Sequence, residues 1–200
     1  MGQNYDWVDV WNKPASKKKK DHVVNKKENY DILKDYLDTP PKKMLEIGCG
    51  IAREAEWFQK DYGTELWLLD GDKSINEPRK QTRYYNWGTA DKFAFYSPID
   101  DLRKSYECRD MTYRFVDANN IDIPDDQMFD LICSFKSCGF HYPISEYVDL
   151  IRKHSHENTK LIFDIRKDAT KPNKLKETKI EIVNKIFEGR KHFLCEIKLS

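Results

Sequence analysis

Apolar and polar positions along this chain fall into blocks that predict alternating strands and helices. Tyr30, Ile32, Leu33, Tyr36 and Leu37 recur at roughly helical spacing, and Pro40-Pro41 stop that helix. The short apolar run Met44-Leu45-Glu46-Ile47 breaks into Gly48-Cys49-Gly50, and a helical stretch from Glu54 to Tyr62 follows. Four further runs, at residues 65–70, 112–118, 129–134 and 160–165, have the pattern of buried strands. Ser97 as N-cap and Pro98 at the first helical position open a helix to about Glu107. Ile144, Tyr147, Val148 and Ile151 stand at i, i+3, i+4 and i+7 of another. Near the end of the chain, residues 179–187 and 191–199 flank Glu188-Gly189-Arg190 and read as a β-hairpin.

The strand–glycine turn–helix unit at residues 44–62 carries the chemistry. Glycines let the backbone bend sharply and approach a ligand closely. The helix behind such a turn is expected to aim free N–H groups and its positive dipole end at that ligand. A unit of this kind binds a nucleoside-containing cofactor. The dinucleotide fingerprint needs a third glycine for close helix–sheet packing, and Arg53 holds that place. No Gly-Lys-Ser/Thr follows, which excludes a P-loop. Asp70 lies about 20 residues past the glycines, the spacing at which an acid reaches ribose hydroxyls. Asp72 is the rival for that role.

The Glu46-x-Gly48-x-Gly50 arrangement resembles motif I of the class I S-adenosylmethionine-dependent methyltransferases, with Ala52 in place of the usual third glycine. Residues 65–70, 112–118, 129–134 and 160–165 resemble the next four strands of that family in order. The likeness spans residues 43 to 165. It implies an α/β, Rossmann-like, seven-stranded and mostly parallel sheet with helices on both faces and an antiparallel C-terminal hairpin. It also implies S-adenosyl-L-methionine as cofactor. Glu46 matches the acid near the methionine end, and Gly48, Cys49, Gly50 and Gly71 the loops around it. Asp117 and Ala118 match the pair at the adenine amino group, and Ser134 and Phe135 the end of the fourth strand.

Composition fits one domain, with residues 1–43 as an N-terminal arm and helix and residues 44–200 as the methyltransferase domain. Trp7, Val8, Val10 and Trp11 form an apolar patch that docks on the domain, covers the site or binds a partner. Lys17-Lys18-Lys19-Lys20 reads as a solvated linker. A net charge of +1 gives no electrostatic case for nucleic acid. The five cysteines, odd in number and without Cys-x-x-Cys spacing, point to a reducing cytoplasm rather than disulfides or zinc. No run approaches the length of a membrane span.

The acceptor side is less constrained. Residues 73–90, a long connection carrying Arg79, Tyr84, Tyr85 and Trp87, are a candidate substrate lid. Rings there stack on sugar or aryl faces, and arginines pair with phosphate or carboxylate. After the fourth strand the family places catalytic residues. His141 is the histidine in that loop and the candidate base, with Tyr142 beside it. His22, His154, His156 and His192 lack catalytic context and read as surface residues. The Asn/Asp-Pro-Pro-aromatic motif of adenine N-methyltransferases is absent, as is the Pro-Cys of cytosine-C5 enzymes. Ser134 stands where magnesium-dependent relatives have an acid, so no metal is expected. Residues 93–97 and 139–143 are similar to segments of small sugar O-methyltransferases of bacteria and phages. The expectation is therefore O-methylation of a sugar or small polyhydroxy acceptor. The alternatives are N-methylation of a small molecule, a nicotinamide oxidoreductase on a similar sheet, or a catalytically silent binding subunit.

Overall fold

The computed structural model describes residues 17–71, 99–140, 143–167, 180–190 and 192–200, with side chains from residue 27 onward. In chain order these form α1 (Lys17–Tyr36), β1 (Lys43–Ile47), α2 (Arg53–Tyr62), β2 (Glu65–Asp70), α3 (Ile99–Glu107), β3 (Tyr113–Asp117) and β4 (Phe129–Ser134). A 3-10 turn (Ile144–Tyr147) then runs into α4 (Val148–Lys153), followed by β5 (Ser155–Arg166), β6 (Ile180–Glu188) and β7 (His192–Leu199). One seven-stranded sheet results, in the order β3-β2-β1-β4-β5-β7-β6. The five strands β1 to β5 run parallel. β7 lies antiparallel between β5 and β6. The expected sheet and closing hairpin are both present.

Strand periodicity sorts the core into two layers, because alternate side chains point to opposite faces. Met44, Leu66, Leu68, Leu131, Cys133 and Ile162 pack with Tyr30 and Leu33 of α1, Ala55 and Phe58 of α2, and Leu102 and Tyr106 of α3. Leu45, Ile47, Trp67, Leu69, Ile132 and Phe163 face the other way, onto Ile144, Tyr147 and Ile151. Strands covered on both faces read as near-continuous apolar runs, which is why LWLL and FDLIC look as they do. Phe58 and Tyr106 are wholly buried, each worth roughly 1.5–3 kcal/mol of transfer free energy. Gly63 ends α2 in the left-handed region (φ 69°) while its amide donates to the Gln59 carbonyl at 2.8 Å.

Three elements differ from the sequence expectation. α1 starts at Lys17, so the four lysines are its first turn rather than a linker. The segment from Ile144 opens as a 3-10 turn behind the extended Pro143 and becomes α-helical only at Val148. β5 begins five residues before Lys160, at Ser155. Its polar first half pairs Ser155 with Phe129 across an irregularity in the ladder before regular pairing resumes at Lys160 and Leu131.

Candidate functional site

β1 lies between β2 and β4 and so marks the switch point of the sheet, the place where ligands bind beyond the carboxyl ends of the strands. The glycine turn leaves β1 there. Gly48 (φ 67°), Gly50 (φ 50°) and Ala52 (φ 47°) all adopt left-handed backbone. For Ala52 that conformation costs roughly 1–2 kcal/mol. Among the described residues, a Cβ built on Gly50 would meet no heavy atom within 4 Å, which leaves room there for a ligand.

The turn holds itself with its own amides. Gly48 and Cys49 donate to the Leu69 carbonyl at 2.7 and 3.1 Å, and Ala52 donates to the Cys49 carbonyl at 2.8 Å. Gly50 donates to Oδ2 of Asp70 at 2.7 Å, and Gly71 to Oδ1 of the same carboxyl at 2.8 Å. Tyr106, from α3, donates its hydroxyl to the Gly50 carbonyl. Burial pushes the Asp70 carboxyl up to about 6, with the two amides and the Cys49 thiol pulling the other way. Burial also raises the Cys49 thiol and the Tyr106 phenol well above their ordinary ranges.

The helix behind the turn corrects one expectation. Its N-cap, Ala52, makes no side-chain cap bond, but two buried acids, Glu54 and Glu56, occupy the first turn. Asn29 donates to Glu54 at 3.0 Å. Glu56 takes Arg53 at 2.8 Å, Lys60 at 2.7 Å and Arg109. Burial alone would raise Glu56, yet Lys60, Arg109 and Arg53 outweigh it and hold the carboxyl below its usual range. The positive helix end is thus answered by carboxylates, and the turn amides described above are spent internally. With the amides of Gly48, Cys49, Gly50 and Ala52 already spent, the turn offers few donors to a phosphate.

The neighbouring strand ends complete the rim. Asp117 pairs in register with Asp70, and Ala118 donates its amide to the Asp70 carbonyl at 2.8 Å. Oδ1 of Asp117 accepts from the Asn119 amide at 2.8 Å and from its side chain at 3.0 Å. Glu46, on β1, is buried beside Cys133 of β4. The Ser134 hydroxyl donates to the Ile47 carbonyl at 2.6 Å and accepts the Cys138 amide at 2.8 Å, tying β1 to β4 across the switch point. Beyond the buried Phe135, Lys136 takes a left-handed conformation (φ 53°) and donates its amide to Oδ2 of Asp164 at 2.9 Å.

Glu46, Gly48, Cys49, Gly50, Asp70, Gly71, Asp117, Ala118, Ser134 and Phe135 therefore stand along one sheet edge, at the carboxyl ends of β1 to β4 or in the turns that follow. Asp72, the segment 73–90 with Arg79, Tyr84, Tyr85 and Trp87, the Ser97-Pro98 helix start, the apolar patch at residues 7–11, His141 and Tyr142 lie outside the described residues, as does the His22 side chain. Two histidines read as surface residues are not. His154 is buried, its Nδ1 2.8 Å from the Gln127 carbonyl oxygen. His192 is 13% exposed, with Nε2 3.4 Å from Oδ1 of Asp164. His156 is exposed as expected. Sequence reasoning passed over Tyr106 and Asp164. An acid inside the apolar run LIFDI was the available signal for Asp164. Among the described residues no helix is long and apolar enough to cross a membrane.

No family model matches this sequence, and no curated protein does. Solved structures do match the fold. The PH0226 protein from Pyrococcus horikoshii OT3 aligns over 100% of both chains at 13% identity and a TM-score of 0.63. A methyltransferase from Pyrococcus furiosus aligns over 88% of this chain and 83% of its own at 18% identity and a TM-score of 0.55. A ribosomal protein L11 methylase from Lactobacillus delbrueckii subsp. bulgaricus aligns over 84% and 75% at 12% identity and a TM-score of 0.54. The chain has the class I methyltransferase fold.

Proposed function

We propose that this protein is an S-adenosylmethionine-dependent methyltransferase acting on a hydroxyl of a sugar or other small polyhydroxy acceptor. One observation carries the cofactor assignment. Among the described residues the glycine turn is open above Gly50, yet its amides are committed to Leu69, Cys49 and Asp70, and Glu54 and Glu56 fill the helix start behind it. The amides of Gly48, Cys49, Gly50 and Ala52, which a dinucleotide pyrophosphate would need, are already spent there. A neutral nucleoside joined to a cationic sulfonium suits the same place.

Glu46 would then serve the methionine end, Asp70 the ribose hydroxyls, and Asp117 with Ala118 the adenine. A carboxylate has about four lone-pair sites, so Asp70 can keep both amides and still accept from a ribose. When bound, the sulfonium supplies an electrophilic methyl group. The protein's task is to exclude water and hold an oxygen in line about 3 Å away. The acceptor side of this reading keeps Arg79, Tyr84, Tyr85, Trp87, His141 and Tyr142. Calorimetry of the full chain with S-adenosylhomocysteine, NAD and ATP tests the assignment. Saturable binding of S-adenosylhomocysteine without binding of the phosphorylated ligands is expected. NAD binding, or no binding of S-adenosylhomocysteine, refutes it.

A further inference from the structure

Cys49, Gly50 and Ile51, three consecutive residues of the glycine turn, are held by two side chains from the C-terminal end of α3. The Tyr106 hydroxyl donates to the Gly50 carbonyl. With its proton given there, the phenol oxygen is left to accept from the Cys49 thiol, 3.5 Å away. Arg109, just past the helix, donates from Nη2 to the Ile51 carbonyl at 2.6 Å and from Nη1 to Glu56 in the first turn of α2. Both side chains are themselves fixed. The Tyr106 ring is wholly buried and edge-on to Tyr113 at 4.8 Å, and the Arg109 guanidinium lies 5.6 Å from its centroid. Nε of Arg109 donates to the Ser105 carbonyl at 2.9 Å, and the Arg109 amide to the Tyr106 carbonyl at 3.0 Å.

We propose that Tyr106 and Arg109 are positioning residues for the cofactor, acting through the backbone of the glycine turn rather than through the ligand. This rests on the methyltransferase reading above. The turn needs such support. Gly50 and Ala52, on either side of Ile51, are both left-handed, and the Cβ of Ala52 resists that conformation. Strained backbone persists only where its surroundings over-determine it. The turn's own amides supply part of the restraint, through Leu69, Cys49 and Asp70. The Gly50 and Ile51 carbonyls are the part that α3 and its end supply. A turn released from Tyr106 or Arg109 spends time in other conformations. Apparent affinity then falls by the fraction of molecules that keep the competent one. If about a tenth keep it, S-adenosylhomocysteine binds about tenfold more weakly.

Calorimetry with S-adenosylhomocysteine on the full chain tests this, in the wild type, Tyr106→Phe, Arg109→Lys and Thr64→Val. Tyr106→Phe keeps the buried ring and deletes the bond to Gly50. Arg109→Lys keeps a charge beside Glu56 and gives up the bond to Ile51, since one ammonium does not span both partners as the guanidinium fork does. Thr64→Val is the control. Its hydroxyl is equally buried but serves the Pro41 and Phe58 carbonyls, just before β2, at the end of the sheet away from the turn. Tyr106→Phe and Arg109→Lys should each bind about tenfold more weakly or worse. Thr64→Val should melt at a lower temperature yet bind as the wild type does. In NMR spectra the Ile51 and Ala52 amides, which share peptide units with the two carbonyls, should broaden or double in Tyr106→Phe and sharpen to one set with saturating S-adenosylhomocysteine. Should Tyr106→Phe not fold, Arg109→Lys decides. Wild-type affinity in the folded variants overturns the proposal. So does an equal loss in Thr64→Val, which would make the effect one of general stability. Failure of the wild type to bind S-adenosylhomocysteine is a distinct result and refutes the methyltransferase reading, and this proposal with it.

Discussion

The Gly50 amide donates to the Asp70 carboxylate at 2.7 Å, a bond from the turn after β1 to the end of β2. It makes the acid a structural part of the glycine turn before any ligand arrives. Asp70 thus has two jobs in the proposed enzyme, holding the turn and meeting the ribose.

That double role gives Asp70 a measurable pH signature. Burial raises its folded pKa to about 6, above the ordinary carboxylate value of 3.8, so between those values the folded state holds the extra proton. The contribution of this group to stability is therefore complete below about pH 4 and is lost as pH rises through 6, about 3 kcal/mol in all. Urea unfolding of wild type and Asp70→Asn from pH 4 to 7 should differ by that slope. Parallel curves would refute it. Asp70→Ala should also weaken S-adenosylhomocysteine binding at least tenfold, since hydrogen bonds to a charged acceptor are worth about 1.5–3 kcal/mol each. Wild-type affinity in a folded Asp70→Ala protein would move the ribose role, with Asp72 next in line.

Gly50 and Gly139 should respond differently to alanine. At Gly50 the left-handed backbone resists, at roughly 1–2 kcal/mol, and the added methyl meets nothing among the described residues. Gly50→Ala should fold, yet lose at least tenfold in S-adenosylhomocysteine affinity as the methyl enters the ligand's space. At Gly139 the methyl collides with the Asp164 carbonyl oxygen, a backbone atom that cannot swing aside. Gly139→Ala should lower the melting temperature clearly more than Gly50→Ala. Equal melting temperatures would contradict the geometry.

Ser134→Ala removes one hydroxyl that serves two backbone groups. The Ile47 carbonyl and the Cys138 amide then lose partners in a buried place, at about 1–3 kcal/mol. Chemical denaturation should report a loss in that range. A neutral substitution would mean that the β1–β4 tie contributes nothing.

Glu56→Gln tests the ion cluster at the start of α2. Arg109 is 11% exposed on its side chain and depends on Glu56 for charge compensation. Breaking a buried pair from one side typically costs about 3–5 kcal/mol. Partial exposure of Arg53 and Lys60 should keep the loss near the lower figure, measured by urea unfolding at neutral pH.

The parts of this fold that were legible were those written in side-chain pattern. β4 runs from Phe129 to Ser134 as read, because Phe129, Leu131, Ile132 and Cys133 make a short apolar block between the polar turn Pro124-Asp125-Asp126-Gln127 and Lys136-Ser137. The first half of β5, Ser-His-Glu-Asn-Thr, carries no apolar signal; it is a strand because Phe129 pairs with it. Site residues followed the same rule. Turn glycines and strand-end acids announce themselves locally, so Glu46, Gly48, Gly50, Asp70 and Asp117 could be named as candidates and placed at the strand ends. What Asp70 bonds to, or that His192 meets Asp164, depends on strands that meet only after folding. Polarity alone put His154 and His192 at the surface, whereas the Gln127 carbonyl gives His154 a partner inside and His192 packs against Phe140 and Phe187.

The pairing of β1 with β4 has a consequence for the order of events in folding. Met44 meets Leu131 only after everything between them has been accommodated, while β6 and β7 are joined by a short connection. Closing a long loop costs more entropy than closing a short one, and non-local pairings set the pace of folding. The C-terminal hairpin can therefore assemble early, whereas the switch point waits for the slowest contact in the sheet. Refolding followed by S-adenosylhomocysteine binding should lag behind refolding followed by burial of Phe193 on β7, and a nascent chain should gain its ligand site only after β4 has been synthesised.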